Sequence, residues 1–107
     1  MRLITKTQLA STLQCTPRTI QNYHQIAFAY IDDYENDYPV FAGEPLTSSR
    51  LTEYQTWLLR QLYLLGQRLA SRKLIPQIIQ SNSEQYTKEY YEQTTNNVNV
   101  AQLIQNI

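Results

Sequence analysis

The sequence predicts a mainly α-helical fold with little β-structure. Two capped helix starts follow each other closely near the N-terminus, at Thr5 and Thr16. A long central segment then repeats apolar residues every three or four positions, and shorter apolar segments at helical spacing recur in the C-terminal third. With 107 residues, the chain can bury one modest core and is too short for two independent domains.

The first helix is predicted to begin after Thr5. Threonine is a good N-cap, and Gln8 stands three residues later, where it completes a capping box. Leu9 and Leu13 fall on one face, and the helix should end near Leu13. Gln14 and the residue after it would then form a short turn.

The second helix is predicted to begin with Thr16 as N-cap and Pro17 in the first helical position, where its missing N–H costs nothing. On a helical wheel, the inner side carries Ile20, Tyr23, His24 and Ala27. The outer side carries Arg18, Asn22 and Gln25, with Gln21 on the flank. The outward face is therefore a row of hydrogen-bonding groups.

These residue types suit a recognition helix in the major groove. Arginine can form two hydrogen bonds with guanine, asparagine and glutamine can do so with adenine, and Thr16 and Thr19 can reach phosphates. We therefore expect double-stranded DNA as the partner. An ordinary amphipathic helix in a soluble bundle is the alternative. The predicted DNA-binding residues are Lys6, Thr16, Arg18, Thr19, Gln21, Asn22 and Gln25.

Residues 9–10, 15–20 and Tyr23 together resemble the N-terminal helix-turn-helix of MerR-type regulators and the related excisionases. In those proteins a hydrophobic-Ser-Pro-Arg-Thr-(Ile/Leu)-Arg-x-Tyr run opens the second helix. The resemblance implies a winged helix-turn-helix domain, and it adds Tyr23 to the expected DNA contacts. Where that family commonly has glycine, this chain has Gln14, which would carry a positive φ at a cost of about 1 kcal/mol.

Charge is segregated along a chain whose formal net charge is zero. Residues 1–31 contain Arg2, Lys6 and Arg18 and no acid, which makes the predicted DNA-reading part basic. Because phosphate neutralisation supplies much of the affinity for DNA, so few cations predict weak binding by one subunit and stronger binding by two.

Residues 32–47 are predicted to form an acidic, wing-like loop. The interval is longer than the wing hairpin of the resembled family, and Tyr38 to Phe41 could form one strand. A solvated loop is the plain interpretation; a negative patch that contacts a protein partner or limits non-specific DNA binding is the other. Its acidic residues are Asp32, Asp33, Glu35, Asp37 and Glu44.

A long core helix is predicted over residues 48–72, with Thr47 or Ser48 as its cap. Its apolar stripe consists of Leu51, Tyr54, Leu58, Leu62, Leu65 and Leu69. Trp57 and Leu64 widen that face. The polar residues left for solvent or for the DNA backbone are Arg60, Gln61, Gln67, Arg68 and Arg72.

Residues 1–73 thus form the predicted DNA-binding part, and residues 74–107 form a C-terminal helical segment for packing or dimerisation. Its apolar surface predicts a homodimer, which would match a palindromic site. The alternative is that the same residues complete the core of a monomer. The predicted dimerisation residues are Ile75, Ile78, Ile79, Tyr90, Leu103, Ile104 and Ile107.

Other classes of function find little support in the sequence. The chain has one histidine, His24, and two glycines, and it lacks catalytic or phosphate-binding motifs, so no enzyme, metal site or cofactor is expected. Cys15 should pack as a small hydrophobe, and His24 should hold a structural hydrogen bond. No long apolar run or signal-peptide pattern occurs, so a cytoplasmic, nucleoid-associated protein without a membrane contact is expected.

We therefore expect a sequence-specific transcriptional regulator, a repressor that occupies a palindromic operator as a homodimer. Two alternatives stay open. One is an excisionase-like factor that bends DNA for recombination, and the other is a protein-interaction adaptor built on a helix-turn-helix scaffold.

Overall fold

Two capped helices open the chain, as the sequence predicts. A computed structural model describes residues 3–37, 40–41, 44–45 and 50–95. Strand β1 (Ile4–Thr5) leads into helix α1 (Lys6–Leu13). The Thr5 hydroxyl accepts the Gln8 N–H at 3.1 Å, and the Gln8 side chain accepts the Thr5 N–H at 2.8 Å. The predicted capping box is therefore confirmed.

The turn between the first two helices is closed by backbone hydrogen bonds. Gln14 takes the left-handed conformation, with φ 59°, that the sequence predicts for this position. The Cys15 N–H then donates to the Ala10 carbonyl at 2.9 Å. Helix α2 (Pro17–Tyr30) follows with Thr16 as its N-cap, so both predicted caps are confirmed.

The acidic segment is partly helical, which corrects the expectation of a loop over residues 32–47. Helix α3 (Asp32–Glu35) follows α2 directly, because Tyr34 is buried completely and draws this turn onto the core. Strands β2 (Val40–Phe41) and β3 (Glu44–Pro45) then pair antiparallel. One predicted strand therefore exists within the interval, while Tyr38 lies outside the described residues.

The long core helix begins later and ends earlier than predicted. Strand β4 (Arg50–Leu51) pairs antiparallel with β1, with Leu51 opposite Ile4. Helix α4 (Glu53–Leu69) starts after Thr52, which forms a second capping box with Gln55. Residues 48–72 are thus not one helix, because Arg50 and Leu51 pair with β1 and Thr52 caps the helix after them. Thr47 and Ser48 lie outside the described residues.

Helix α4 packs against α2, and the two helices form the centre of the core. The predicted stripe is confirmed at Tyr54, Leu58 and Leu62, which are buried, while Leu59 is a further buried residue that the stripe left out. The remaining core members are Leu9, Ala10, Ile20, Tyr23, Ala27, Ile31, Tyr34, Leu51, Ile75 and Ile79. The mainly α-helical fold class is confirmed.

The C-terminal segment continues with helix α5 (Ile75–Ser81), a 3₁₀ turn (Ser83–Tyr86) and helix α6 over residues 88–95. Ile75 and Ile79 were predicted to pair two subunits, but both are buried within the single chain, where α5 packs on α2 and α4. That prediction is corrected for these two residues. Ile78 is half-buried and Tyr90 exposed.

The rest of the predicted dimerisation set, Leu103, Ile104 and Ile107, lies outside the described residues. Within the described ranges, none of the helices is both long enough and apolar enough to cross a membrane.

Candidate nucleic-acid interface

The outer face of α2 carries the polar row that the sequence predicts. Arg18 and Gln25 are exposed and Asn22 is half-buried, at spacings of four and three residues that keep them on one side of the helix. Within the described part of the chain, none of these three side chains has a hydrogen bond or an ion pair. Their donors and acceptors are therefore available to a ligand.

Lys6 and Gln21, also predicted DNA contacts, bind each other. The Lys6 ammonium donates to the Gln21 side-chain oxygen at 2.8 Å, and both residues are half-buried. Burial lowers the pKa of Lys6 from its usual value. The pair ties α1 to α2, and within the described ranges the amide N–H groups of Gln21 and two N–H groups of the Lys6 ammonium remain unused. A helical wheel does not reveal this pairing, because it depends on how α1 crosses α2.

Thr16 and Thr19 cap the same helix end. The Thr16 hydroxyl accepts the Thr19 N–H at 3.2 Å, and the two hydroxyl oxygens lie 3.0 Å apart. Only one of the two hydroxyl protons can fill that second contact. The other proton has no acceptor among the described residues and can be donated to a ligand at the start of α2.

Tyr23 does not belong to the outward row, which corrects the surface contact that the resemblance implied. The residue is 3% exposed, and its ring packs edge-on against the Tyr63 ring with the centroids 6.2 Å apart. Burial raises the pKa of its hydroxyl, an effect that the charge of Arg72 opposes. Tyr23 is therefore a core residue, and only its hydroxyl approaches the surface.

His24 has the structural hydrogen bond that the sequence predicts. Its Nδ1 lies 2.6 Å from the Tyr34 hydroxyl, which joins α2 to α3. Burial lowers the pKa of His24 to about 4, and the nearby charge of Lys6 acts in the same direction. The ring is thus neutral at physiological pH. Cys15 is half-buried against the core, in line with its predicted packing role.

An open cleft lies where the start of α2 meets the end of α4. It is lined on one side by Thr16, Arg18, Thr19 and Asn22, and on the other by Gly66, Gln67, Ala70, Ser71 and Arg72, with Tyr23 between them. No acidic residue is among those that line it. Two arginines from distant parts of the sequence therefore share one polar cleft.

Arg72 lines this cleft because α4 ends three residues earlier, at Leu69. Ala70 closes the helix in the left-handed conformation, with φ 55°, and this turns the next residues back towards α2. The sequence left Arg72 for solvent or for the DNA backbone on an uninterrupted helix. Its place in the same cleft as Arg18 follows from the helix end, for which the sequence holds no glycine signal.

The acidic side chains near α3 are engaged within the protein. The Asp37 carboxylate accepts the Lys88 ammonium at 2.7 Å and the Thr52 hydroxyl at 2.5 Å. The Asp33 carboxylate accepts the Lys88 backbone N–H at 2.9 Å. The hydrogen bond with Asp37 raises the pKa of Lys88. The acidic segment thus holds α6 against the N-cap of α4, a role that its composition does not reveal.

A second groove, of about 340 Å³, runs between α4 and the C-terminal elements. Leu64 and Tyr90, which line it, are 46% and 39% exposed, and the ring centroid of Trp57 lies 6.4 Å from that of Tyr90. These three residues give the groove apolar surface of the kind that a second subunit or another protein covers, and polar residues complete its lining, namely Gln61, Arg68, Asn82 and Gln85.

The described residues contain no group of histidine, cysteine or acidic side chains that could hold a metal ion. A comparison of the chain with models of protein families found no match, and neither did comparisons with curated proteins and with solved structures. The resemblance to MerR-type regulators therefore stays a prediction that rests on residues 9–23.

Proposed function

We propose that this protein is a sequence-specific DNA-binding regulator that inserts α2 into the major groove. The observation that carries the proposal is the outward row of Arg18, Asn22 and Gln25, whose side chains have no partner in the described part of the chain. A helix face that is only in contact with water could equally carry short or acidic side chains. This row instead presents residue types suited to the edges of guanine and adenine.

The geometry of α2 is compatible with base reading. Its 14 residues span about 21 Å, and an α-helix fits into the major groove of B-DNA. With its N-terminal half in the groove, Arg18 would bind a guanine through two hydrogen bonds, and Asn22 would bind an adenine one turn further on. Each such pair contributes about 1 to 3 kcal/mol of discrimination.

The proposal includes a homodimer that represses by occupying a palindromic operator. Few cations lie near α2, so one subunit would bind weakly, and two linked subunits would bind far more tightly. Exposed Leu64 and Tyr90 beside Trp57 supply apolar surface for such an interface. A light-scattering mass equal to one chain at micromolar concentration would contradict the dimer.

DNA selection from a random pool with the purified protein, at about 150 mM salt, tests the function. The selected duplex is then titrated with the wild type and with Arg18→Ala. We expect a palindromic consensus, and a loss of about 1 to 3 kcal/mol of binding free energy for the variant, with relaxed preference at one base pair.

Arg60→Ala is the matched control, because Arg60 is exposed on α4 and does not line the cleft. Its affinity should stay close to that of the wild type. Binding that ignores sequence would favour the architectural, excisionase-like factor, which strong bending of the bound duplex would identify. The absence of any DNA binding would contradict the proposal.

A protein-interaction adaptor is the second candidate, and the apolar groove beside Trp57 is the observation that favours it. An adaptor would tolerate Arg18→Ala in every assay and would respond to Leu64→Ser. A DNA-binding regulator that reads bases through α2 should respond to Arg18→Ala in DNA binding, so the two variants together separate the candidates.

A further inference from the structure

We propose that the cleft between the start of α2 and the end of α4 binds a phosphate group, held by the Arg18 backbone N–H, the Tyr23 hydroxyl and the Arg72 guanidinium. The inference rests on the proposed function in one respect, since it takes this phosphate to belong to the DNA backbone. It assigns the cleft a positioning role that is separate from base reading by the Arg18 and Asn22 side chains.

The start of α2 presents an unused backbone donor to the cleft. Pro17 has no N–H, and the Thr19 N–H is taken by Thr16, which leaves the Arg18 N–H without an acceptor among the described residues. The α2 macrodipole places partial positive charge at the same point. A helix start with a free amide favours an anion there.

Tyr23 supplies an independent indication of a ligand. Its side chain is 97% buried, since only 3% is exposed, yet no hydrogen bond of its hydroxyl occurs within the described ranges. Among the described residues, no side-chain nitrogen or oxygen that is shielded from solvent lacks a hydrogen-bond partner, so the unpaired Tyr23 hydroxyl is accessible from the cleft. Tyr23 lines the cleft, so a ligand bound there can accept the proton of its hydroxyl.

The absence of a side chain at Gly66 makes room for the Tyr23 hydroxyl. A Cβ added at Gly66 would collide with the Tyr23 hydroxyl oxygen and would also press on the ring carbon that bears it. Gly66 lies within α4, where glycine is a poor helix former. Its absent side chain lets the Tyr23 ring lie flush against α4 and its hydroxyl reach the cleft.

Arg72 supplies the charge for an anion. It lines the cleft, and its positive charge is close enough to Tyr23 to favour the ionised hydroxyl. No acidic side chain pairs with Arg72 in the part of the chain that the structure describes. Arg18 and Tyr23 from α2 and Arg72 from the segment after α4 thus line one cleft, and their backbone amide, hydroxyl and guanidinium are donors of the kind that the several oxygens of a phosphate accept.

Tyr23→Phe and Arg72→Gln test the site on the duplex selected above. Tyr23→Phe keeps the ring in the core, and Arg72→Gln changes an exposed side chain, so both variants should fold. We expect each to weaken binding about tenfold, by the same factor on selected and scrambled duplexes. Arg72→Gln should also reduce the slope of log K against log salt by about 1.

Arg60→Gln is the matched control for the loss of one exposed charge. If Arg72→Gln and Tyr23→Phe bind the duplex as Arg60→Gln does, the DNA phosphate has no place in this cleft and the inference is overturned. A change in base preference on Arg72→Gln would also overturn it, because a phosphate contact carries no sequence information.

A second readout separates this inference from the proposed function. Inorganic phosphate is titrated against the protein at constant ionic strength with chloride as the reference anion, and the Arg18 backbone amide is followed by NMR. If no duplex binds but phosphate shifts this amide in the wild type and not in Arg72→Gln, the site stands with free phosphate as its source, and the DNA-binding function fails. If the Arg18 amide signal does not shift with phosphate and the protein binds no duplex, both the phosphate site and the DNA-binding function are overturned.

Discussion

The two ends of helix α2 use their polar side chains in opposite ways. Towards its C-terminal end, His24 is bound to Tyr34, and the acidic side chains that follow hold Lys88 and Thr52. Towards its N-terminal end, Arg18 lies about 9 Å along the helix axis from His24. There the Arg18 and Arg72 side chains have no partner in the described part of the chain, and neither does the hydroxyl of Tyr23, which lines the same cleft. One helix thus joins a satisfied polar region to an unsatisfied one.

This difference in pairing separates the polar residues that stabilise the fold from those that are available to a ligand. A paired polar group contributes to the free energy of folding, whereas an exposed, unpaired one contributes little. Substitutions near α3 should therefore change stability and spare ligand binding. Substitutions of exposed side chains at the start of α2 should do the reverse.

The largest expected effect comes from Tyr34→Ala, at the satisfied end. Tyr34 is completely buried and holds His24, so its removal leaves a cavity and an unpaired imidazole. We expect the free energy of unfolding in urea to fall by about 3 to 5 kcal/mol. Tyr34→Phe keeps the ring and should cost about 1 to 3 kcal/mol. Equal losses for both variants would show that the hydroxyl, and not the packing, dominates.

Gly66→Ala tests the packing beneath the unsatisfied end. The new methyl group would collide with the Tyr23 hydroxyl, so either the ring or α4 must shift, at a cost of about 1 to 3 kcal/mol. The same substitution in a Tyr23→Phe background removes the closest contact and should cost less. Thermal or urea unfolding of the four proteins in this cycle gives the coupling. Additive losses would mean that Tyr23 and Gly66 do not press on each other.

The sequence predicts the caps and the outward polar residues near the start of α2, but it does not predict the cleft that forms there. The sequence predicts Thr5 and Thr16 as caps because capping depends on residues three positions apart. The outward positions of Arg18 and Gln25 follow from helical periodicity alone. These features are local, so neighbouring residues determine them.

The remaining features depend on contacts between distant residues. Leu51 fits the apolar stripe of α4 but lies in a strand, because Ile4 pairs with it. Arg72 reaches the cleft because α4 ends at Leu69 and Ala70 turns back. No periodicity in one sequence encodes that Tyr23 packs against Gly66, or that Asp37 binds Lys88. The role of the acidic segment was missed for this reason.

Asp37→Asn sharpens the comparison at the satisfied end. Asp37 is 10% exposed and accepts hydrogen bonds from Lys88 and Thr52, and the amide can still accept one of them. We expect the free energy of unfolding to fall by about 1 kcal/mol, with duplex affinity unchanged. Glu84→Gln removes an equal charge from the exposed 3₁₀ turn, where the Glu84 side chain has no partner within the described ranges. It should leave the free energy of unfolding unchanged. A change in duplex affinity on Asp37→Asn would break the separation between the two ends.

The smallest expected effect is the pH dependence that His24 gives to this end. Its folded-state pKa of about 4 lies below the unfolded value of 6.5, so the unfolded chain binds the proton more readily. Stability from the neutral ring is complete above about pH 6.5 and is lost as the pH falls towards 4. Between pH 7 and pH 5.5 we expect a loss of about 1 kcal/mol in urea unfolding. His24→Gln keeps a partner for the Tyr34 hydroxyl and does not titrate, so a protein that lost the same stability over this interval would place the titrating group elsewhere.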